Sequence, residues 1–197
     1  MRHSNRVELR HLHQMSFLKQ LDAIGGRSLN LLQRLLLVND GTLTDALEAA
    51  FLEPIELVRL SVDVSSPSDG PLDLAQDPGL PVMRREILLR GSTSRRNFVF
   101  AKSWIALARL PAAMRSELAE SGKPIGRLWT EYRLETAKEV LRFWREPAGK
   151  LSIHFGGAPD AVILARSYRV LQRSTPLMVI AEYFPADLAL QGNASEA

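Results

Sequence analysis

The sequence predicts a single α+β domain in which an antiparallel sheet is surrounded by helices. Helical periodicity dominates the first fifty residues, whereas later segments alternate between apolar and polar residues in short runs joined by brief turns. Short turns imply antiparallel pairing, because parallel strands need long crossover connections. Helices gathered in front of the strands favour an α+β fold over an alternating α/β fold.

The composition is that of a folded globular protein, with 46% hydrophobic and 24% charged residues among 197. That length suits one domain with a sizeable core. The net charge of +3 is too small to indicate a nucleic-acid partner. The absence of cysteine excludes disulfides, thiolate-bound metals and thiol nucleophiles. With no apolar run of ~18 residues and no secretory signal, we expect a cytoplasmic protein without a membrane span.

Three regions are expected along the chain. Residues 1–15 are polar and rich in histidine and should be mobile, residues 16–187 form the domain, and residues 188–197 form a tail. The domain opens with three helices, which begin near Phe17, Ser28 and Thr42. Glycines end the first two of these helices, because glycine tolerates the left-handed geometry of a helix end.

The remaining elements are mainly strands, predicted at 60–64, 83–89, 97–104, 162–171 and 177–184. The last two form a hairpin across a four-residue turn. A short helix is predicted at 111–120, and a short strand at 151–155. The charged segment 130–144 is ambiguous from its sequence, and a helix is the structure considered for it.

Two predicted strands each carry a single charge in apolar surroundings, and these charges are the first candidate site residues. Arg85 is the one charge on the apolar face of the strand 83–89, because successive side chains point to opposite faces. Glu182 is the one charge in the apolar run 177–184. A buried arginine keeps its charge and therefore requires an anion or several acceptors.

Two interpretations of this pair remain open. Arg85 and Glu182 either form a buried structural salt bridge with each other, or they serve a closed pocket for a small anionic organic acid. In the second case the arginine binds a carboxylate and the glutamate lies at the polar end of the ligand. The neighbouring strand brings Arg166, Tyr168 and Arg169 close to the same sheet.

The segment 122–127 contains two glycines, but their spacing differs from that of a phosphate-binding loop. Its simplest interpretation is a turn that ends a helix. The alternative is that the backbone N–H groups of Ile125 and Gly126 face an anion. Motifs of zinc proteases, NTPases, serine hydrolases and dinucleotide-binding domains are missing from the sequence, so we expect no metal and no cofactor.

The order and spacing of several motifs resemble those of the chorismate lyase family. The resemblance is carried by Arg85–Leu89, Ala101–Ser103, Lys123–Arg127, Tyr168-Arg169 and Pro176–Pro185. It spans about residues 28–187, which is most of the chain. The segments 40–44 and 105–111 look closest to the actinobacterial-type branch of the family, which supplies phenolic glycolipid synthesis or other secondary metabolism.

This resemblance implies a cofactor-independent carbon–oxygen lyase that removes pyruvate from chorismate and leaves 4-hydroxybenzoate, in a site closed off from solvent. It implies that Arg85 binds the ring carboxylate and that Glu182 lies at the hydroxyl end of the ring. The backbone groups that bind substrate fall on Leu43 and Ile125, with Gly126 beside the latter. Whether Glu182 acts as an acid, a base or an orienting group stays open.

Two other functions are compatible with the sequence. The fold of the family resembles the sensor domain of some bacterial transcription regulators, so the chain could be a non-catalytic module that binds a small aromatic acid. A related lyase that yields another hydroxybenzoate isomer is the second alternative, because the shape of the pocket decides the isomer. In each case the expected partner is a small molecule and the expected state is a monomer, because a pocket within one domain needs no second chain.

Overall fold

Six strands form one antiparallel sheet in the computed structural model, which describes residues 17–65, 71–74, 81–120, 123 and 125–189. The strands are β1 (Ile55–Ser65), β2 (Val82–Gly91), β3 (Asn97–Ala106), β4 (Ala137–Pro147), β5 (Val162–Gln172) and β6 (Thr175–Pro185). Their order in the sheet is β1-β2-β3-β6-β5-β4. The sheet is therefore open, with β1 and β4 at its edges, and the predicted α+β class is confirmed.

The described helices are α1 (residues 17–23), α2 (Leu31–Val38), α3 (Leu43–Phe51), α4 (Ala112–Glu120), α5 (Ile125–Glu131) and α6 (Ser152–Phe155). Short 3-10 turns lie between several of these elements. Among the helices of the described ranges, none has both the length and the apolar character of a membrane span. The expected mobile region 1–15 and most of the expected tail 188–197 lie outside the described residues.

A capping box defines the start of α2, three residues later than the sequence suggests. The side chain of Asn30 accepts a hydrogen bond from the backbone N–H of Gln33, and the Gln33 side chain accepts one from the backbone of Asn30, both at 2.9 Å. The same two side chains donate to the carbonyls of Leu188 and Ala186. Ser28, the expected start, belongs to a 3-10 turn. The cap therefore also fixes α2 to the chain that follows β6.

Two predicted segments differ from the sequence expectation. Most of the ambiguous segment 130–144 is strand, because β4 begins at Ala137 after α5 ends at Glu131. The predicted strand at 151–155 is wrong, since these residues complete a 3-10 turn and form α6. That helix ends at Gly156, whose φ of 71° lies in the left-handed region that glycine adopts without a steric penalty.

Two hydrophobic clusters cover one face of the sheet and leave space between them. In the first cluster, leucines of α2 and α3 pack against Phe98, Leu164 and Phe184. In the second cluster, Met114 and Leu118 of α4 and Leu128 of α5 pack against β5 and β6. Burial of this much apolar surface is the main source of stability for such a domain. The space between the two clusters contains the candidate site.

Candidate active site

A cavity of about 430 Å³ lies between the sheet and the helices, a size typical of sites for small ligands. Its walls are the turn between α2 and α3 and the first residues of α5. The floor consists of side chains from one face of the sheet, namely Ile87, Leu89, Ala101, Ser103, Tyr168, Val170, Ile180 and Glu182. The lining combines these apolar side chains with hydroxyl groups and with the charges of Asp40, Lys138 and Glu182, so the cavity suits an apolar ring that carries polar and charged substituents.

The cavity has a mouth, which differs from the closed pocket expected from the sequence. Asp40, Gly41, Thr130 and Ala137 border the cavity and are all exposed to solvent. They lie on connecting segments, at the end of α5 and at the start of edge strand β4. These positions have helices or strands on one side only, so they leave a route to solvent.

Glu182 is buried in the floor of the cavity, and both of its carboxylate oxygens accept a hydrogen bond. Arg166 Nε donates to Oε2 at 2.6 Å, and the Tyr168 hydroxyl donates to Oε1 at 2.8 Å. Arg166 lies directly opposite Glu182 in the β5–β6 pairing. Two accepted hydrogen bonds are the pattern of an ionised carboxylate, and each oxygen keeps a lone pair for a further donor.

Arg166 connects this carboxylate to the wall of the cavity. Its Nη1 atom donates to the carbonyls of Leu37 and Asn39, at 3.0 and 2.9 Å, where α2 ends. Burial alone lowers the pKa of Arg166, but the charge of Glu182 and the hydrogen bond to it raise the pKa above its ordinary value. Arg166 therefore stays charged, and it couples the position of Glu182 to the turn that follows α2.

The Tyr168 hydroxyl acts as a hydrogen-bond donor and keeps its proton. The residue is almost completely buried, and burial is the main reason that its pKa lies well above the ordinary value. The neighbouring charge of Glu182 adds to this effect, because loss of the proton would place two negative charges side by side. Tyr168 thus holds one oxygen of Glu182 in a fixed direction at the floor of the cavity.

Arg85 is a buried cation, and in the described residues no carboxylate is paired with it. Its side chain is 1% exposed, and Nη2 donates to the carbonyl of Lys123 at 3.1 Å. Within the described residues, Nε and Nη1 have no hydrogen-bond partner. Burial, followed by the charge of Arg59, lowers the pKa of Arg85 to about 10. A buried charged donor left without an acceptor costs about 1–3 kcal/mol or more, so the position favours an anionic ligand.

Lys123 fixes the carbonyl that Arg85 contacts. Its ammonium group lies 2.6 Å from a carboxylate oxygen of Glu117 in α4 and 2.8 Å from one of Glu131 in α5. These two hydrogen-bonded carboxylates, Glu117 first, raise the pKa of Lys123. These ion pairs hold Lys123, between α4 and α5, at the position where its carbonyl accepts the hydrogen bond from Arg85.

The structure does not pair Arg85 with Glu182. Arg85 lies opposite Ser103 of β3, and Ser103 lies opposite Ile180 of β6. Arg85 and Glu182 therefore lie two strands apart and are offset by two residues along the strands. At standard strand spacings, their Cα atoms are about 12 Å apart. The salt-bridge interpretation of this pair is wrong, because Arg166 is the ionic partner of Glu182.

The remaining residues expected at the site border the same cavity. Leu43, Ile125 and Gly126 line its walls, on α3 and on α5. A Cβ atom on Gly126 would lie 3.0 Å from the methyl carbon of Thr42, so glycine allows α5 to approach the turn between α2 and α3 closely. Arg85 is not itself a lining residue, but its strand partner Ser103 is one.

Lys138 also lines the cavity, and sequence reasoning missed it. Its Nζ donates to the Gly41 carbonyl at 2.5 Å and lies 5.3 Å from the centre of the Tyr168 ring. Burial lowers the pKa of Lys138, and the charge of Glu182 opposes that shift. Lys138 lies opposite Val170 of β5, and this pairing would have placed it at the cavity. The pairing can be recognised only after β4 has been assigned as a strand.

Glu182 and Lys138 line the cavity, and the buried cations Arg85 and Arg166 lie directly opposite the lining residues Ser103 and Glu182 in the sheet. Within the described ranges, no group of three or more His, Asp or Glu side chains is placed to hold a metal ion. The polar groups at the cavity are suited to bind an organic acid, to orient a hydroxyl group and to accept a proton.

Comparisons with known proteins identify a family and curated relatives for this chain. The model of a family described as Rv2949c-like chorismate pyruvate-lyase matches residues 37–191. A chorismate pyruvate-lyase from Mycobacterium tuberculosis (strain ATCC 25618 / H37Rv) is 32% identical over 162 residues, which cover 80% of this chain and 81% of that protein. One from Mycobacterium leprae (strain TN) is 29% identical over 162 residues, with coverages of 77% and 72%.

Solved structures with a similar fold include regulatory proteins. The effector domain of PhnF from Mycobacterium smegmatis has a TM-score of 0.60 at 11% identity, and covers 76% of this chain and 91% of its own. The gene product SA0254 from Staphylococcus aureus subsp. aureus N315 has a TM-score of 0.57 at 9% identity, with coverages of 74% and 88%. At such identities the likeness shows the fold alone.

Proposed function

Because the chain belongs to the Rv2949c-like chorismate pyruvate-lyase family, we propose that it eliminates pyruvate from chorismate and releases 4-hydroxybenzoate. The observation that carries this proposal is the arrangement of charge around one cavity. Arg85 and Glu182 lie on different strands, and the distance between them leaves room for a six-membered ring. Chorismate has a carboxylate on one ring carbon and a hydroxyl on the opposite one, which matches a cation and an acceptor placed in this way.

Arg85 is the proposed ligand of the ring carboxylate. Within the described residues its Nε and Nη1 donors lack an acceptor, and a carboxylate would supply both the acceptor and the missing negative charge. The bond to the Lys123 carbonyl holds the guanidinium in place before the ligand arrives. Binding would therefore require little rearrangement of the arginine.

Glu182 is the proposed group at the hydroxyl end of the ring. Elimination breaks the bond between the ring carbon and the ether oxygen, which leaves with the enolpyruvyl group and the electron pair, and this enolate takes up a proton at its methylene carbon to become pyruvate. The neighbouring ring carbon, which bears the hydroxyl, gives up its hydrogen as a proton, and the ring becomes aromatic. Arg166 and Tyr168 fix the direction of the Glu182 carboxylate. Each oxygen keeps one lone pair, which is proposed to accept the hydrogen bond of the hydroxyl group and the proton.

The protein also contributes by positioning the substrate. Aromatisation of the ring supplies much of the driving force, so the site needs to hold one conformer and limit water around the reacting carbons. Leu43, Ile125 and Gly126 line the walls beside the ring in this proposal. The proposed chemistry requires proton movement but no redox step, and for this reason we propose a reaction without a metal or a cofactor.

The test is to incubate the purified chain with chorismate and to separate the products by chromatography. We expect pyruvate and 4-hydroxybenzoate in equal amounts, at a rate far above that of a protein-free control. An Arg85→Met variant serves as the matched control with the site disabled. A different hydroxybenzoate isomer, or no pyruvate above the protein-free level, would contradict the proposal.

A binding module without catalysis is the second candidate, because the fold is shared with an effector domain. In that case the cavity would hold a small aromatic acid and leave it unchanged. Tight binding of a hydroxybenzoate together with no consumption of chorismate would support this candidate over the lyase.

A further inference from the structure

Lys138 is a cation at the mouth of the cavity for which the proposed reaction has so far no role. It lies near the start of β4, opposite Val170, and lines the same cavity as Glu182. Its ammonium group contacts the Gly41 carbonyl and the face of the Tyr168 ring. Because the Tyr168 hydroxyl donates to Glu182, this ammonium group lies at the glutamate end of the cavity.

The charges around Lys138 leave it available for an anion. Glu182 and Asp40 are the carboxylates that act on it, and Arg166 is the neighbouring cation. In the described residues, the hydrogen bonds that Glu182 accepts come from Arg166 and Tyr168, and none comes from Lys138. An ammonium group has three donors, and within the part of the chain that the structure describes Lys138 gives one, to Gly41.

Chorismate carries a second carboxylate, on the enolpyruvyl group. The ether oxygen of that group is attached to the ring carbon beside the one that bears the hydroxyl. With the ring carboxylate at Arg85 and the hydroxyl at Glu182, the second carboxylate falls at the glutamate end of the cavity. Glu182 would repel it there. The Nε and Nη1 atoms of Arg166 already donate to Glu182, Leu37 and Asn39, so only its Nη2 has no partner in the described residues, and unlike Lys138 it does not line the cavity.

We infer that Lys138 binds the enolpyruvyl carboxylate and thereby distinguishes a dicarboxylate substrate from its monocarboxylate product. This inference rests on the proposed function, because it takes the orientation of chorismate from it. The same contact gives the product a reason to leave: once pyruvate is released, the ligand no longer has a partner for Lys138. A lysine suits this position because its flexible stem can follow a substituent that varies in direction.

The experiment compares three aromatic acids that have nothing left to eliminate. They are 4-hydroxybenzoate, 4-hydroxy-3-methoxybenzoate and 3-(1-carboxyethoxy)-4-hydroxybenzoate, of which only the last has a second carboxylate. Dissociation constants are measured by calorimetry for the wild type and for Lys138→Gln and Lys138→Arg. Glutamine removes the charge but keeps a donor for the Gly41 carbonyl, and melting temperatures establish that each variant is folded.

We expect the wild type to bind the dicarboxylate more tightly than the methoxy compound. Lys138→Gln should weaken dicarboxylate binding by about tenfold or more, the scale of one lost charge-assisted hydrogen bond. Its affinity for the two monocarboxylates should change by less than about twofold, because they do not reach the ammonium group. Lys138→Arg should retain most of the preference, since it keeps the charge.

A matched control is available on the opposite face of the sheet. Lys102 of β3 is also half-buried, and its ammonium group lies 5.1 Å from the centre of the Trp104 ring. The cavity is lined by its neighbours Ala101 and Ser103, so Lys102 points away from it. Lys102→Gln should leave all three dissociation constants unchanged.

Three results would overturn the inference: equal losses for all three ligands in Lys138→Gln, no loss for any of them, or a wild type without preference for the dicarboxylate. Failure of the proposed function is separate from these results. A wild type that prefers the dicarboxylate through Lys138 but releases no pyruvate from chorismate would keep this inference and reject the lyase.

Discussion

Arg85 shows how a single residue can serve a site at the expense of stability. A buried guanidinium with two donors lacking acceptors in the described structure is unfavourable until an anion arrives. We predict that Arg85→Met raises the unfolding free energy by about 1–4 kcal/mol, the range seen when apolar side chains replace buried ions. The same variant should bind 4-hydroxybenzoate at least about tenfold more weakly. Denaturant unfolding and calorimetry measure the two effects.

The pH dependence of that stability gain follows from the lowered pKa of Arg85. A folded-state pKa of about 10, below that of the unfolded chain, means that the folded state disfavours the proton. The unfavourable contribution is complete below pH 10 and diminishes only above it. The difference in unfolding free energy between Arg85→Met and the wild type should therefore be constant from about pH 6 to 9.

Arg85→Lys should restore only part of the ligand binding that Arg85→Met loses. An unchanged KM in Arg85→Met would show that Arg85 does not belong to the site.

Glu182 combines a structural and a chemical role, because it lines the cavity and is also the counter-ion of Arg166. We predict that Glu182→Gln lowers turnover per folded molecule by about a hundredfold, the scale of a lost general base. It should also lower the melting temperature, because Arg166 loses its anion in a buried position. Turnover is measured well below the melting temperature, with the folded fraction taken from circular dichroism. Near-normal turnover of the folded fraction would show that the role of Glu182 is structural alone.

At the scale of elements, the turn after α2 is held by cations from the sheet. Arg166 binds the carbonyls of Leu37 and Asn39, and Lys138 binds that of Gly41. The position of α2 itself depends on its capping box at the other end. Helix position and site geometry can therefore be tested separately, by a variant at the far end of α2.

We predict that Asn30→Ala lowers the unfolding free energy by about 1 kcal/mol, the usual effect of a lost N-cap. The variant also loses the hydrogen bond from Asn30 to the Leu188 carbonyl. Because Arg166 still anchors the C-terminal end of α2, KM for chorismate should change by less than about twofold. A large rise in KM with little loss of stability would show that the start of α2, rather than Arg166, positions the cavity wall.

Much of this arrangement of elements could be predicted, and the exceptions have physical causes. Arg85 and Glu182 both lie in strands that the sequence predicts, and the face assigned to Arg85 agrees with the structure, because Ser103 and Ile180 in the same row of the sheet line the cavity. Strand β4 has a bulge between Val140 and Arg142, which shifts the alternation by one residue and hides the strand. For the same reason Lys138 could not be placed on the cavity face. The pairing of Arg166 with Glu182 depends on the register between β5 and β6, and the local sequence pattern of each strand does not determine that register.

At the scale of the whole molecule, the two faces of the sheet are different surfaces. Helices α1 to α5 and the candidate site cover one face, whereas α6 packs on the opposite face, where His154 stacks on Phe100 of β3. The other face has a second cavity of about 340 Å³ with aromatic walls that include Trp104, Trp144 and Tyr183. The charge pattern that suits a hydroxybenzoate, an arginine and a carboxylate separated by apolar residues, is found at the first cavity. The monomeric state, the cytoplasmic location and the absence of a cofactor remain predictions from the sequence.

The most direct measurement is the crystal structure of the chain with 4-hydroxybenzoate bound. The proposal predicts the ligand in the cavity of about 430 Å³, with its hydroxyl donating to Glu182. Its carboxylate should lie about 3 Å from Nε or Nη1 of Arg85, the distance of a hydrogen bond. A ligand bound in the reverse orientation, or seated only in the aromatic cavity on the opposite face, would contradict the account.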